Sequence, residues 1–327
     1  MVDAGTRAVG NTWAIVLAAG DGSRLRSLTT ADGIVVPKQF CSLHGGRSLL
    51  HEALARATAI TQPRYVCTIV AEQHRRWWRH ALRSFDTSNV IVQPSNCGTA
   101  NGILLPLLHV VRRDPEARIV LLPSDHYVHD ERVLTLASCR ALAALGTDDD
   151  RIVLLGIAPD HADPDLGYIV PGSTEATGFA TVDRFVEKPD RSVAQALIDA
   201  GALWNAFIVV ARASALLRVY LARFPRLVAA MRATVETDAP HVDDPVATQQ
   251  LYRRLDHLDF SRHVIEGAER SLRVLAVPAC GWCDLGTPNR VAATLDRFPV
   301  ESLGCASAPL PAAVTGIMNL AAQRAAS

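Results

Sequence analysis

The chain has 327 residues, 49% hydrophobic and 20% charged, with 33 basic side chains against 33 acidic ones. That length holds one large domain or two ordinary ones, with enough apolar residues for a sizeable core. Zero formal charge leaves no global field for nucleic acid or an anionic membrane, and no apolar run is long enough for a transmembrane helix. Residues 13–20 lack a signal-peptide layout. The expectation is a cytoplasmic protein with no nucleic-acid or membrane partner, whose anion binding is local; a homo-oligomer stays open.

Residues 1–12 are small and polar and read as a frayed N-terminus. Residues 13–18 form an apolar run with β-branched members, which suits a buried strand of a parallel sheet. The run ends in Ala19-Gly20-Asp21-Gly22-Ser23, then Arg24, with Lys38 further along the same connection. Glycines in such a turn let backbone N–H groups approach an anion closely, and two cations beside them suggest a polyphosphate. An ordinary strand-to-helix turn reads the same way at this point. No GK[ST] ends the turn and the G-x-G-x-x-G spacing fails after Gly22, so it is neither a P-loop nor a dinucleotide fingerprint.

A helix is expected over 48–60, with Ser48 as its cap. Strands follow at 65–70, 90–93, 118–122 and 152–157, and helices at 72–85, from the 94–100 loop to Arg113, and at 131–145. This alternation predicts an α/β fold with right-handed βαβ units and a mainly parallel sheet. From about 160 the pattern changes. Strands are expected at 167–170, 180–187, 206–211 and 273–277, and helices near 191–200, over 213–235 and 245–256, and at 290–298. The tail from 299 to 327 is Ala-rich and uninformative. One α/β unit over 13–298 with an inserted mixed lid accounts for this better than two independent domains; 13–158 forms its first half and 159–298 its second.

Ligands of open α/β sheets bind beyond the carboxyl ends of the strands, and the loops there hold the unusual chemistry. Asp125 follows the strand IVLLP directly, and Asp284 lies in GWCDLG after RVLAVP. Two strand-end carboxylates near a phosphate-binding loop make a Mg²⁺ site, because Mg²⁺ takes one or two carboxylates and completes its shell with phosphate oxygens and water. Alternatively, each Asp caps a turn. Lys188 in FVEKPD suits a phosphate, or pairs with Glu187. Asn205 offers two donors and an acceptor to a sugar hydroxyl pair, or is a buried structural amide. His126 reads as a helix-start residue. Seven scattered cysteines argue against a disulfide framework, and Cys280-Gly-Trp-Cys283 has no second CxxC or His pair to complete a zinc site. The absence of a G-x-S-x-G elbow removes the serine hydrolase reading.

The segments LAAGDGSRL with PKQF, QPSNCGTA, LLPSDH, GYI, FVEKPD, ALWNAF and GWCDLGT stand in an order that resembles the sugar-1-phosphate nucleotidyltransferases, most strongly the mannose-1-phosphate guanylyltransferase branch. The resemblance spans roughly 13–298. It implies the nucleotide-diphospho-sugar transferase fold, a Rossmann-like three-layer sandwich whose inserted α+β lid binds the sugar. It also implies transfer of a nucleotidyl group from an NTP, GTP by this branch, to a sugar-1-phosphate, with Mg²⁺ as cofactor. Leu17, Ala18, Ala19, Gly20, Asp21, Gly22 and Ser23 would hold the nucleotide with Gln93, Gly98 and Thr99. Arg24 and Lys38 would lie on its phosphates, and Asp125 and Asp284 on the metal. Gly167, Tyr168, Glu187, Lys188 and Asn205 would meet the sugar phosphate. The catalytic set would be Arg24, Lys38, Asp125, Lys188 and Asp284. The sequence departs from the branch in four places: AAG for AGG, WNAFI for WNSGMF (which loses a Gly near the sugar), QPSNCGTA for an ENTAPA-like loop, and Ser261 where an Asp is expected. Those departures bear on base and sugar choice, so dTTP or UTP with glucose-1-phosphate is the alternative pair. A non-catalytic sugar-nucleotide sensor is the alternative of another class.

Overall fold

The computed structural model describes residues 11–299 except 32, 147, 148 and 240–244; the expectations for residues 1–10 and the tail from 300 fall outside this range. Strand β1 (Thr12–Ala18) is buried on both faces, as a central strand requires. A short helix α1 (Arg26–Thr29) and a small antiparallel pair, β2 (Thr30–Ala31) with β3 (Ile34–Val35), fill the connection that the sequence leaves as a loop. There follow α2 (Leu49–Ile60), β4 (Val66–Ala71), α3 (Arg75–Ala81), β5 (Val90–Gln93), α4 (Thr99–Arg113), β6 (Arg118–Pro123), α5 (Glu131–Ala143) and β7 (Ile152–Ile157). Ser48 caps α2 by accepting from the His51 N–H.

The second half adds β8 (Gly167–Thr174), β9 (Ala180–Glu187), α6 (Arg191–Asp199), β10 (Leu203–Arg212), α7 (Ala213–Arg223), α8 (Pro225–Asp238), α9 (Val246–Tyr252), β11 (Leu272–Val277) and α10 (Pro288–Arg297). The single helix expected over 213–235 is two, because Pro225 lacks the N–H needed to continue a helix and instead starts a new one at its first position.

One nine-stranded sheet runs through both halves in the order β5-β4-β1-β6-β10-β7-β11-β9-β8, with β10 also pairing β8. It is mixed, which corrects the mainly parallel sheet expected. Pairs β4–β5, β1–β4, β1–β6 and β7–β11 are parallel, whereas β10 runs antiparallel to β6, β7 and β8, and β9 antiparallel to β8 and β11. Strand β10 alternates in burial over residues 203–207 and is buried on both faces over 208–212. Neither pattern depends on strand direction, so its sequence carried no sign of its reversal.

Alternate residues of β1 feed two cores. Trp13 and Ile15 join α4, α7 and α8 on one face; Ala14 and Val16 join α2 and α5 on the other. This gives the three layers. Among the described residues no helix is long and apolar enough to cross a membrane.

Candidate active site

The carboxyl ends of β1 and β6 are tied together at Leu17, whose carbonyl accepts from the Ser124 N–H at 3.2 Å and its hydroxyl at 2.6 Å. The turn after β1 folds over Lys38. Gly22 adopts φ 58°, and a Cβ there would stand 2.8 Å from the Lys38 Cβ, so glycine is required both for the left-handed backbone and for the close approach. From below, the buried Gln39 amide donates to the carbonyls of Ala18 and Gly20, each at 3.0 Å. Asp21 accepts from Gln73 at 2.7 Å and Asn96 at 2.9 Å, which fastens the turn to the loop after β5.

Lys38 is 5% exposed, and its ammonium joins two strand ends. Nζ donates to Asp125 Oδ2 at 3.2 Å and to the Asp284 carbonyl at 2.5 Å. Burial opposes ionisation of Asp125, but Lys38 and His126 outweigh it and hold the carboxyl below its usual range. Burial lowers His126 to about 4, so the ring is neutral at neutral pH. Its ring lies 5.3 Å from Trp282, which lies 6.4 Å from Trp204, and His126 Nδ1, Trp204 Nε1 and Trp282 Nε1 are buried without a partner.

Asp284 reaches the site by its backbone. Its neighbour Leu285 has φ 49°, and both carboxylate oxygens are held by Arg290 Nη1 at 2.6 and 2.7 Å. The other Arg290 nitrogen donates to Asp163. Arg24 is exposed and lies 3.2 Å from Asp165 of the second half. Among the described residues no three metal-ligating side chains cluster, so a divalent cation here would depend on ligand oxygens. Burial raises both Cys280 and Cys283 thiols, away from the thiolate that redox or metal chemistry uses.

At the other end of the site, Gly167 of β8 faces Glu187 of β9 in register. A Cβ on Gly167 would be 2.6 Å from Glu187 Oε2 and 3.4 Å from the Asn205 Cβ, so three of the expected sugar-phosphate residues meet at one point. Lys188, at φ 49°, brings Nζ within 3.5 Å of Glu187 Oε1. Burial and, after it, Asp259 raise Glu187 to about 7, against the pull of Lys188. Asn205 Oδ1 accepts from the Phe207 N–H at 3.1 Å. The side chain of Tyr168 stands apart from this set. It is fully buried and its hydroxyl is spent on the Asp163 backbone, donating to the carbonyl and accepting from the N–H, so it positions the residue that holds Arg290 rather than facing a ligand.

The loop after β5 is crossed by residues 256–260. Gly98, at φ 88°, lets the Leu258 carbonyl pass where a Cβ would clash, and Thr99 Oγ1 accepts from the Phe260 N–H at 2.8 Å. Gln93 is 2% exposed, and its Oε1 has no partner. Among the described residues the non-glycine residues with left-handed backbone are Lys188, Phe207 and Leu285, and all three lie in these segments. Such strain persists where surrounding structure enforces it and concentrates at functional sites. Sequence reading missed Gln39, Ser124, Asp163, Asp259 and Arg290; of these only Gln39, inside PKQF, and Ser124, beside Asp125, carried a local signal.

The family model described as nucleotidyl transferase matches residues 13–295. Mannose-1-phosphate guanylyltransferase 2 of Escherichia coli O157:H7 is 29% identical over 297 residues, covering 84% of this chain and 58% of that protein. Mannose-1-phosphate guanylyltransferase of Klebsiella pneumoniae is 32% identical over 230 residues, 68% of this chain and 47% of that protein. The chain thus spans about half the length of the curated relatives it matches. A Thermus thermophilus structure described as a mannose-1-phosphate geranyltransferase superposes with a TM-score of 0.74 at 25% identity, over 89% of this chain and 81% of that one. A putative glucose-1-phosphate thymidylyltransferase of Bacillus anthracis shares the fold, with a TM-score of 0.56 at 15% identity over 90% of this chain and 98% of that one.

Proposed function

Because the chain belongs to the nucleotidyl transferase family, we propose that it joins a sugar-1-phosphate to a nucleoside triphosphate with release of pyrophosphate, mannose-1-phosphate and GTP being the preferred pair. The observation that carries this reading is the buried Lys38 ammonium beneath a glycine turn, shared between the Asp125 carboxylate and the Asp284 carbonyl. The names of the relatives support mannose and guanine as the substrates' distinguishing groups.

In this reaction an oxygen of the sugar-1-phosphate attacks the α-phosphorus, the bond from that phosphorus to the bridging oxygen breaks, and pyrophosphate leaves. The nucleophile is already an anion and needs no general base, in keeping with a neutral His126 and an ionised Asp125. Catalysis is then alignment and charge neutralisation. Lys38 and Arg24 serve the triphosphate, Lys188 the sugar phosphate, and Glu187 and Asn205 the sugar hydroxyls. The Gly20–Ser23 turn holds the nucleotide phosphates, with Gln93, Gly98 and Thr99 towards the base and ribose.

We assign Mg²⁺ to Asp125 and Asp284. The half-exposed Asp125 carboxylate suits a hard cation that keeps phosphate oxygens in its shell. Asp284 could join it only on release from Arg290, which engages both its oxygens. When bound, the cation would neutralise charge developing on the phosphates.

Pyrophosphate release measured across a panel of NTPs and sugar-1-phosphates tests the reading, with the fastest turnover expected for GTP and mannose-1-phosphate. Faster turnover of another pair would replace the substrates and keep the reaction. Gln93 does not separate the preferred pair from the second reading, dTTP or UTP with glucose-1-phosphate: its unpartnered acceptor suits the ring N–H of thymine or uracil as well as that of guanine.

A further inference from the structure

Strand β10 is irregular where it passes the sugar end. Asn205 lies opposite Gly156 of β7 and Val209 opposite Leu154, so three residues of β10 span a step that β7 covers with one. Phe207 is the middle residue of that bulge. It adopts φ 57°, a region an aromatic L-residue enters only under constraint. The constraint is visible on both sides. The Phe207 N–H is captured by Asn205 Oδ1 at 3.1 Å, and its ring stands edge-on to Phe260 with centroids 6.0 Å apart.

Phe260 belongs to the segment that links the loop after β5 to the sugar end. Its own N–H is bonded to Thr99 in the loop after β5, and its neighbour Asp259 accepts from the Thr99 hydroxyl at 3.4 Å and raises the Glu187 carboxyl. Phe207 packs against the edge of the core that Val209 and Ala211 enter from ordinary positions of the same strand. Phe207 is half-buried and strained instead, next to the one side chain, Asn205, that the strand offers to a sugar.

We propose that Phe207 is a specificity-determining residue of the sugar end. The bulge and the left-handed backbone stand its ring against Phe260 as a wall of the sugar subsite, and the capture of its N–H by Asn205 Oδ1 leaves the Asn205 Nδ2 as the donor for a sugar hydroxyl. This rests on the sugar-1-phosphate reading above and deepens it: the subsite is closed on the Phe260 side and takes an unsubstituted hexose-1-phosphate in preference to one carrying a 2-acetamido group.

The test compares the full chain with Phe207→Gly, whose residue adopts this backbone without strain, and Phe207→Asn, which tolerates it and serves if the glycine variant does not fold. Steady-state kinetics with unsubstituted and 2-acetamido hexose-1-phosphates at fixed NTP give the selectivity ratio, and calorimetric binding of the same sugar phosphates gives it without turnover. The expected result is a rise of about tenfold in the 2-acetamido to unsubstituted ratio, carried by the sugar KM, with the NTP KM within about twofold of wild type and the original ratio restored by Phe207→Tyr. Equal losses for all sugars, or a change carried by the NTP KM, would overturn the proposal. A wild-type chain that turns over no pair at all would instead overturn the reading it rests on, and the calorimetric ratio would still decide the role of the ring.

Discussion

The two ends of the site are held in different ways. At the Lys38 end the ammonium is paired with Asp125 and the Asp284 carbonyl, Asp21 with Gln73 and Asn96, and Gln39 with the turn's carbonyls, while His126 Nδ1 has no partner and Leu285 adopts φ 49°. At the Glu187 end the backbone is strained at Lys188 and Phe207, and a buried carboxyl sits near 7 beside a lysine at 3.5 Å. Fixed charges that need no reorganisation suit a triphosphate, which always presents the same groups. An unsettled proton suits the partner that must be selected. The first end is preorganised; the second is completed by what binds.

That contrast can be broken at its strongest point. Lys38→Met removes the shared ammonium, and kcat/KM for pyrophosphate release should fall about a thousandfold. The carboxylate and carbonyl left behind should lower stability by about 2 kcal/mol in chemical denaturation, discounted because Asp125 is half-exposed.

Glu187→Gln tests the other end. An ordinary glutamate titrates at 4.5 and this one at about 7, so the folded chain holds a proton between those values that the unfolded chain has lost. Stability contributed by the neutral carboxyl is therefore full below pH 4.5 and declines as pH rises through 7, by about 3 kcal/mol in all. Urea titrations at pH 5 and pH 8 should show that decline in wild type and its absence in the glutamine variant.

Gly22→Ala sharpens the claim of a prebuilt turn. A Cβ 2.8 Å from the Lys38 Cβ, at φ 58°, should cost about 2 kcal/mol and raise the NTP KM with little change in the sugar KM. The smallest effect on stability belongs to the border between the ends. Arg24 and Asp165 form an exposed pair at 3.2 Å, so Arg24→Ala should shift the unfolding free energy by no more than about 0.5 kcal/mol while still weakening NTP binding.

How much of this the sequence disclosed depends on whether the signal was local. The strands of the first half were legible because each is an apolar run closed by turn residues, and Asp125, Lys188 and Asp284 were nominated because each lies beyond a strand end. The direction of β10 was not, since neither the alternating burial of its first half nor the continuous burial of its second distinguishes parallel from antiparallel pairing. The β2–β3 pair was missed because two-residue strands carry no period. Arg290 was missed because nothing in GTPNR announces that its side chain turns back six residues onto Asp284 and reaches Asp163, 127 residues away. Tyr168 was placed with the sugar by its neighbours in GYI, whereas strand alternation turns its ring into the core. The loss of a Gly in WNAFI was visible as a departure, but the left-handed backbone of Phe207 was not.

In the proposed reaction the Lys38 cluster neutralises a triphosphate while a sugar phosphate attacks it. Pyrophosphate and nucleotide-sugar formed from GTP and mannose-1-phosphate in Mg²⁺, measured side by side for wild type and Lys38→Met, test it most directly. Wild type should form the two products in equal amounts, and the variant should form them about a thousandfold more slowly. A wild type that forms neither product with any NTP and sugar-1-phosphate pair, or a variant that works at the wild-type rate, would contradict it.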